Sequence, residues 1–200
     1  MKQLISLKPY TMFRMGGQAR YFFEIKSEAD LEEALSFVKQ NKLPIFVLGG
    51  GSNILLSHDD IFEAAVLKME ILGFQVLSED NDKVVIKIGA GENWDSVVAK
   101  TVEKHWLGLE ALSAIPGTVG GTPIQNVGAY GAEISDVLIS LEAYEIATGE
   151  MRTLTNEQCE FKYRDSVFKQ QAKDKFVITS VTLELKKLSA TQQVPIPNYP

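Results

Sequence analysis

The sequence has few residues of the kinds that form disulfides or bind metals. Cys159 is the only cysteine among 200 residues, and His58 and His105 are the only histidines. A single cysteine cannot form an intrachain disulfide, which favours a reducing compartment. With so few soft ligands and no pair at metal-binding spacing, the sequence predicts no structural zinc site and no other metal.

Long apolar runs and an excess of positive charge are also missing. No run approaches the roughly 18 apolar residues of a membrane-spanning helix, and the first residues lack the apolar core of a signal peptide. Twenty basic residues against 26 acidic ones give a net charge of −6, so no general attraction to a phosphate backbone supports nucleic acid as a partner. We therefore predict a cytoplasmic protein without membrane insertion and without a nucleic-acid partner.

The composition is that of a folded protein, with 45% apolar and 23% charged residues. Ser27, with Asp30 three positions on, is predicted to cap a helix that ends near Asn41, and Asn93 is predicted to open a second helix. Short apolar and alternating runs predict strands between these helices and after them. The main predicted strands are 21–25, 45–48, 64–69, 71–77, 83–89, 138–146, 151–154 and 176–185.

This order of elements predicts an α+β protein of two small lobes. We place the first lobe at residues 1–70 and the second at 71–187. Residues 188–200 contain three prolines and no periodicity, and are therefore predicted to be a linker.

Two short segments hold eight of the fifteen glycines. Glycine leaves no Cβ between a backbone amide and a ligand, so a glycine-rich turn can present several donors to a phosphate, and two such loops suit a diphosphate. A dinucleotide fingerprint is excluded because Ile54 occupies the third glycine position, and no Gly-Lys-Ser/Thr triplet of a P-loop occurs. The alternative is that both loops are ordinary turns. The eight glycines are Gly49, Gly50, Gly51, Gly117, Gly120, Gly121, Gly128 and Gly131.

Three longer motifs contain these loops or follow them: LGGGSNIL at 48–55, IPGTVGGTPIQNVGAYG at 115–131 and FKYRDSVFK at 161–169. In these motifs the sequence resembles the UDP-N-acetylenolpyruvoylglucosamine reductase family, flavoenzymes of peptidoglycan precursor synthesis. The stretch at 10–25 is similar to the family's N-terminal region, although Tyr10 stands where an asparagine is usual. The seventeen-residue string is the most specific of these motifs.

The resemblance implies an α+β fold of two FAD-binding subdomains, of the vanillyl-alcohol-oxidase/PCMH type, with FAD held between them. The residues implied for the FAD diphosphate are Gly49, Gly50, Gly51, Ser52 and Asn53. The residues implied for the other side of the cofactor are Ile115, Pro116, Gly117, Gly121, Thr122, Ile124, Asn126, Gly128, Ala129 and Ile178.

The reaction implied by the family is reduction of UDP-N-acetylglucosamine enolpyruvate to UDP-N-acetylmuramate, with NADPH as reductant and FAD as carrier. This places the protein in cell wall biogenesis, and so in cell shape, division and the cell cycle. Arg164 matches the family's catalytic position, where a guanidinium binds the substrate carboxylate and offsets developing charge. Tyr163 is implied beside it as a substrate-binding residue. From the residues alone, a surface ion pair of Arg164 with Asp165 or Glu160 is the alternative.

The family's catalytic serine motif, Gly-Ser-Phe-Phe-Lys-Asn-Pro, does not occur in these 200 residues. That serine and a late glutamate belong to a third, substrate-binding domain, which the resemblance implies is absent here. We therefore expect FAD binding with little or no turnover, in a chain that is either a shortened reductase or completed by a separate chain. Two other hypotheses are a small flavin oxidase of the same fold and a non-catalytic flavin-binding interaction module.

Overall fold

The computed structural model describes residues 1–57 and 61–188. They divide into two compact units, Met1–Ile71 and a second unit that begins at Leu72. Apart from Leu188, the linker predicted at 188–200 lies outside the described residues, and so does His58.

The first unit is built on a four-stranded sheet in the order β1-β2-β4-β3. Strand β1 runs antiparallel to β2, whereas β2 and β3 both lie parallel to β4. A short 3₁₀ turn, Lys8–Tyr10, and helix α1, Glu28–Asn41, connect these strands. The strands are β1 Lys2–Ser6, β2 Gln18–Ile25, β3 Ile45–Leu48 and β4 Ile61–Met69.

Helix α1 begins and ends where local signals predicted. The Ser27 hydroxyl accepts a hydrogen bond from the Asp30 amide at 3.1 Å, and the Asp30 carboxylate accepts from the Lys26 amide at 3.0 Å. Lys42, in the left-handed conformation, ends the helix. One face packs inward through the four apolar residues at helical spacing, which are Leu31, Ala34, Leu35 and Val38.

The second unit is an antiparallel sheet in the order β11-β10-β12-β6-β5, to which β7 adds by pairing with β12. Helix α2, Trp94–Glu103, follows β6, and the Asn93 side chain caps it by accepting from the Ser96 amide at 2.9 Å. Residues 128–133 form a small separate hairpin. The strands are β5 Phe74–Glu79, β6 Lys83–Gly89, β7 Trp106–Leu107, β8 Gly128–Ala129, β9 Ala132–Glu133, β10 Leu138–Glu145, β11 Glu150–Thr155 and β12 Phe176–Lys187.

The strand predicted at 71–77 begins later than the sequence suggested. Gly73 has a φ of +149°, and its carbonyl accepts from the Gly89 amide at 2.8 Å, so regular pairing begins at Phe74. At the other end, the Asp80 carboxylate accepts from the amides of Asp82 and Lys83, both at 2.8 Å, and closes the hairpin to β6.

One large apolar cluster forms the core of the second unit, from strands β6, β10 and β12, helix α2 and the loops after it. Trp94 is the largest fully buried side chain there, and its indole N–H donates to the Leu112 carbonyl at 3.0 Å. Cys159 lies in the same cluster, where burial raises the pKa of its thiol to about 12 and keeps it protonated.

Neither a metal site nor a membrane span is found in the part of the chain that the structure describes. Residues 1–57 and 61–188 contain no group of three or more His, Cys, Asp or Glu side chains that could hold a metal ion. No helix in these ranges is both long and apolar enough to cross a membrane.

Candidate cofactor loops and the arginine turn

The first glycine loop follows β3, and protein donors hold two of its carbonyls. Lys68 Nζ on β4 donates to the Gly49 carbonyl at 2.9 Å, and the Met12 amide donates to the Gly51 carbonyl at 3.1 Å. The described peptide bonds are all trans, so each N–H points opposite to the carbonyl of the same peptide. The amide of Gly50 therefore points away from Lys68, and that of Ser52 away from Met12.

Gly51 is required by the packing of the protein itself. Its φ is +66°, and a Cβ added there would lie 2.0 Å from the Tyr10 carbonyl oxygen. Of the remaining residues predicted here to hold a diphosphate, Gly49 and Ser52 are half-buried, and Gly50 and Asn53 are exposed. The loop thus presents an exposed tip on a backbone that is fixed from behind.

The second glycine loop, 115–131, is anchored along the segment that leads into α2. The amides of Gly120 and Val119 donate to the carbonyls of Ala90 and Glu92, at 2.9 and 3.0 Å, and the Trp94 amide donates to the Gly117 carbonyl at 3.1 Å. These bonds fix the backbone from 117 to 120, which includes the start of the first of two 3₁₀ turns, Val119–Gly121 and Pro123–Gln125.

Gly121 differs from Gly51 because nothing in the described chain requires glycine there. It is exposed, its φ is not positive, and a Cβ added to it would meet no described atom within 4 Å. In contrast, a Cβ at Gly128 would come within 2.9 Å of the Ala132 carbonyl oxygen across the β8–β9 hairpin. Within the described residues, Gly121 is therefore a glycine of this loop for which neither a positive φ nor a close neighbour accounts.

The side chains of Thr122 and Asn126 are buried and bond to the chain itself. The Thr122 hydroxyl donates to the Val119 carbonyl at 2.8 Å. Asn126, only 1% exposed, donates from Nδ2 to Glu133 Oε2 at 2.7 Å and to the Lys162 carbonyl at 3.2 Å. The hydrogen bonds of these two side chains within the second unit shape the loop.

Arg164 lies at the tip of a tight turn. Lys162 and Asp165 exchange two backbone hydrogen bonds, at 3.1 and 3.0 Å, which leaves Tyr163 and Arg164 at the end. Arg164 is exposed with a φ of +53°, and Tyr163 is 84% exposed. We call residues 162–165 the arginine turn.

The surface ion pair considered for Arg164 is not observed. Within the described residues Arg164 forms no ion pair; the Asp165 carboxylate accepts from Gln170 Nε2 at 2.9 and 3.1 Å, and Glu160 accepts from Gln171 at 2.7 Å. Both candidate partners are therefore engaged with glutamine amides.

Two side chains join the arginine turn to the second glycine loop. The Ser166 hydroxyl, 1% exposed, donates to the Ile124 carbonyl at 2.6 Å and accepts from the Phe168 amide at 3.2 Å. Asn126 makes the second connection through its bond to the Lys162 carbonyl. Within the second unit, the structure thus brings together the two segments for which the resemblance implied cofactor and substrate binding.

The other predicted cofactor residues of this unit lie in different environments. Ile178 is 5% exposed and belongs to the core cluster on β12. Pro116 and Ile124 are exposed, whereas Ile115, Gly117 and Ala129 are half-buried.

Sequence reasoning missed Lys68, Glu133 and the positioning role of Ser166. Ser166 carried a local signal, since a serine before a short apolar turn is a typical N-cap. Lys68 interrupts the apolar run of β4, and this interruption was the signal that could have identified it.

Comparisons with known proteins identify relatives of this chain. A family model described as an FAD binding domain matches residues 19–155. The UDP-N-acetylenolpyruvoylglucosamine reductase of Pseudomonas fluorescens is 45% identical over 185 residues, which cover 92% of this chain and 54% of that protein. The chain thus spans about half the length of the curated relatives it matches. The identity over most of this chain confirms the predicted resemblance to the reductase family.

Solved structures confirm the predicted fold. The UDP-N-acetylenolpyruvylglucosamine reductase of Thermus caldophilus is 27% identical with a TM-score of 0.73, over 92% of this chain and 61% of that one. The 6-hydroxy-D-nicotine oxidase of Arthrobacter nicotinovorans shares the fold alone, at 16% identity and a TM-score of 0.63, over 84% and 37% of the two chains. These matches do not favour the oxidase or the interaction module as the function of this chain.

Proposed function

The chain belongs to the FAD-binding domain family, and from this premise we propose that its two glycine loops bind FAD as part of a reductase acting on a UDP-linked enolpyruvyl sugar. Residues 1–70 and 71–187 are proposed as the two FAD-binding subdomains. The observation that carries the proposal is the first loop, in which Lys68 and the Met12 amide hold the Gly49 and Gly51 carbonyls.

The chemistry of this loop fits the diphosphate of FAD. Its five residues, Gly49 to Asn53, carry no acidic side chain, and the held carbonyls direct the neighbouring amides away from the protein donors. Successive backbone amides in a glycine-rich turn form an anion-binding concavity, and the Lys68 ammonium adds positive charge close by. Gly121, exposed and open, is proposed as a point of contact between the second loop and the same cofactor.

Arg164 is proposed to bind the carboxylate of the substrate. When bound, FAD would supply hydride transfer to the enolpyruvyl double bond, with NADPH as the source of electrons. The guanidinium of Arg164 can hold a carboxylate through two parallel hydrogen bonds and offset the negative charge that develops on it. Tyr163, beside it in the turn, is proposed as a substrate contact.

The arginine turn is suited to this role because the fold fixes its base. Asn126 bonds to the Lys162 carbonyl, and Ser166 bonds to the Ile124 carbonyl. A binding side chain held on a rigid base needs less ordering when substrate binds.

The biological setting is proposed from the relatives. The protein that contains this stretch would act in the cytoplasm and supply a peptidoglycan precursor, which links it to cell shape, division and the cell cycle. A separate chain that carries the substrate-binding domain has no observation in its favour.

Gel filtration of the purified chain mixed with FAD tests the proposal. We expect flavin absorbance to elute with the protein at about one FAD per chain; flavin that elutes entirely in the small-molecule fraction would contradict the proposal. In a parallel assay with NADPH and the enolpyruvyl substrate, we expect the 200-residue chain to turn over far more slowly than the Pseudomonas fluorescens reductase. Equal rates would contradict the view that catalysis needs residues outside this stretch.

A further inference from the structure

Lys68 occupies an unusual position for a lysine. It lies on β4, paired in register with Leu48 on β3 and flanked in sequence by the buried residues Leu67 and Met69. Its ammonium reaches the end of β3, where Nζ donates to the Gly49 carbonyl at 2.9 Å.

No ion pair with a described residue explains why the charge of Lys68 lies here. Glu24, in register with Lys68 on β2, pairs with Lys2 at 2.6 Å. Glu70, the carboxylate whose field acts on Lys68, pairs with Lys26 at 4.0 Å. Burial lowers the pKa of Lys68, and the field of Glu70 only partly opposes this. A partly buried charge without an ion pair is unfavourable for folding, so the lysine at this position calls for another role.

The hydrogen bond selects one orientation of a peptide that would otherwise turn easily. The Gly49–Gly50 peptide lies between two residues without Cβ, so steric restraint on its rotation is weak. With the carbonyl held by Lys68, the Gly50 amide must point to the opposite side. Without Lys68, the peptide could reverse and present a carbonyl where the amide now points.

We propose that Lys68 is a positioning residue for a diphosphate: it fixes the Gly49–Gly50 peptide so that the Gly50 amide faces a phosphate oxygen. The ammonium also places a positive charge behind the loop, which attracts an anion without contacting it. This inference rests on the proposed function, since it names the element that prepares the first loop for the diphosphate of FAD.

The test compares Lys68→Met with wild type and with Lys39→Met, which removes the same charge from an exposed position on α1. Affinity for FAD and for ADP is measured by titration, and thermal unfolding is measured without ligand. We expect the dissociation constants of Lys68→Met for both ligands to rise roughly tenfold, while its melting temperature stays at or above that of wild type. Lys68→Arg, which keeps a charged donor, should recover part of the affinity, and Lys39→Met should match wild type.

Three other outcomes would each overturn the inference about Lys68. If Lys68→Met binds FAD and ADP within about twofold of wild type, the inference is wrong while the proposed function stands. A loss of affinity that accompanies a lower melting temperature would assign Lys68 a merely structural role and overturn the inference too. Wild-type protein that binds neither FAD nor ADP would overturn the proposed function together with this inference.

Discussion

At the scale of single residues, the glycines of the two loops have different physical causes. Gly51 has a positive φ and lies against the Tyr10 carbonyl, whereas Gly121 has neither constraint. The sequence could show that glycines cluster, but it could not separate these causes. The separation depends on which backbone each glycine adopts and on what approaches it from elsewhere in the chain.

Paired alanine substitutions should separate the two kinds of glycine. Gly51→Ala places a Cβ against Tyr10 O in a left-handed backbone, so we expect the free energy of unfolding to fall by at least about 2 kcal/mol. Gly121→Ala should change it by less than about 0.5 kcal/mol but weaken FAD binding. Urea unfolding and FAD titration measure these effects. Wild-type FAD affinity in Gly121→Ala would remove this residue from the proposed site.

The stability of the protein should be sensitive to a negative charge at position 126, even when the shape of the side chain is almost unchanged. Asn126→Asp replaces the donor to Glu133 Oε2 by a carboxylate oxygen and removes the donor to the Lys162 carbonyl. Because the site is buried, we expect a loss of about 2–3 kcal/mol in unfolding free energy at pH 7. As the pH falls, the introduced carboxyl group can take up a proton, which removes its repulsion with Glu133 and restores a donor, so the loss should shrink.

Urea unfolding at pH 7 and at pH 4 checks this, with Asn81→Asp in the exposed β5–β6 turn as the control. A small loss of unfolding free energy that does not vary with pH would show that the hydrogen bonds of Asn126 to Glu133 and to the Lys162 carbonyl contribute little to stability.

At the scale of elements, the starts of both helices could be predicted from the sequence because capping signals are local, whereas α2 ends at Glu103 and not near Gly108 as its apolar spacing suggested. Ser27 and Asn93 cap α1 and α2 as expected, and the buried face of α1 follows its apolar spacing. Strand pairing could not be predicted in the same way. The central strand β12 joins β6 and β10, and such pairing depends on residues far apart in the chain.

Three adjacent strands share one polar contact that should make stability depend on pH. Lys87 Nζ on β6 lies 2.6 Å from Glu142 Oε2 on β10, which also accepts from Ser180 on β12 at 3.0 Å. Partial burial would raise the pKa of Glu142, but the hydrogen bonds from Lys87 and Ser180 outweigh it and the pKa lies below its usual value.

Glu142→Gln should therefore lower the free energy of unfolding at neutral pH. With both side chains about one-third exposed, we expect no more than about 1 kcal/mol. Since the folded pKa is lowered, this stabilisation is present above the unfolded pKa of about 4.3 and is lost as the pH falls through the folded value. Denaturant titrations from pH 7 to pH 3 measure it, with the more exposed Glu150→Gln as control. A difference in unfolding free energy between wild type and Glu142→Gln that stays constant down to pH 3 would contradict the lowered pKa of Glu142.

Ser166 should stabilise the fold through its hydroxyl group. Ser166→Ala leaves the Ile124 carbonyl without its 2.6 Å donor and removes the cap on Phe168, so we expect a loss of about 1–3 kcal/mol. Ser166→Thr, which keeps the hydroxyl, should recover much of this loss. Thermal and urea unfolding of both variants measure this loss. Equal destabilisation by alanine and by threonine would show that the hydrogen bonds of the hydroxyl group are not its cause.

At the scale of the whole molecule, sequence motifs identified the family more reliably than they assigned individual roles. The strings at 48–55 and 115–131 were sufficient for the family and the fold. They could not reveal that Asn126 and Ser166 connect the arginine turn to the second loop. Those roles arise from contacts between segments about 35 to 45 residues apart, and no local pattern encodes them.

The central claim, that both glycine loops bind FAD, is tested most directly by amide hydrogen exchange with and without the cofactor. We predict slower exchange on addition of FAD at residues 49–53 and 115–131, with helix α1 at 28–41 unchanged as the internal reference. FAD that binds while both loops exchange at their original rates would contradict the account.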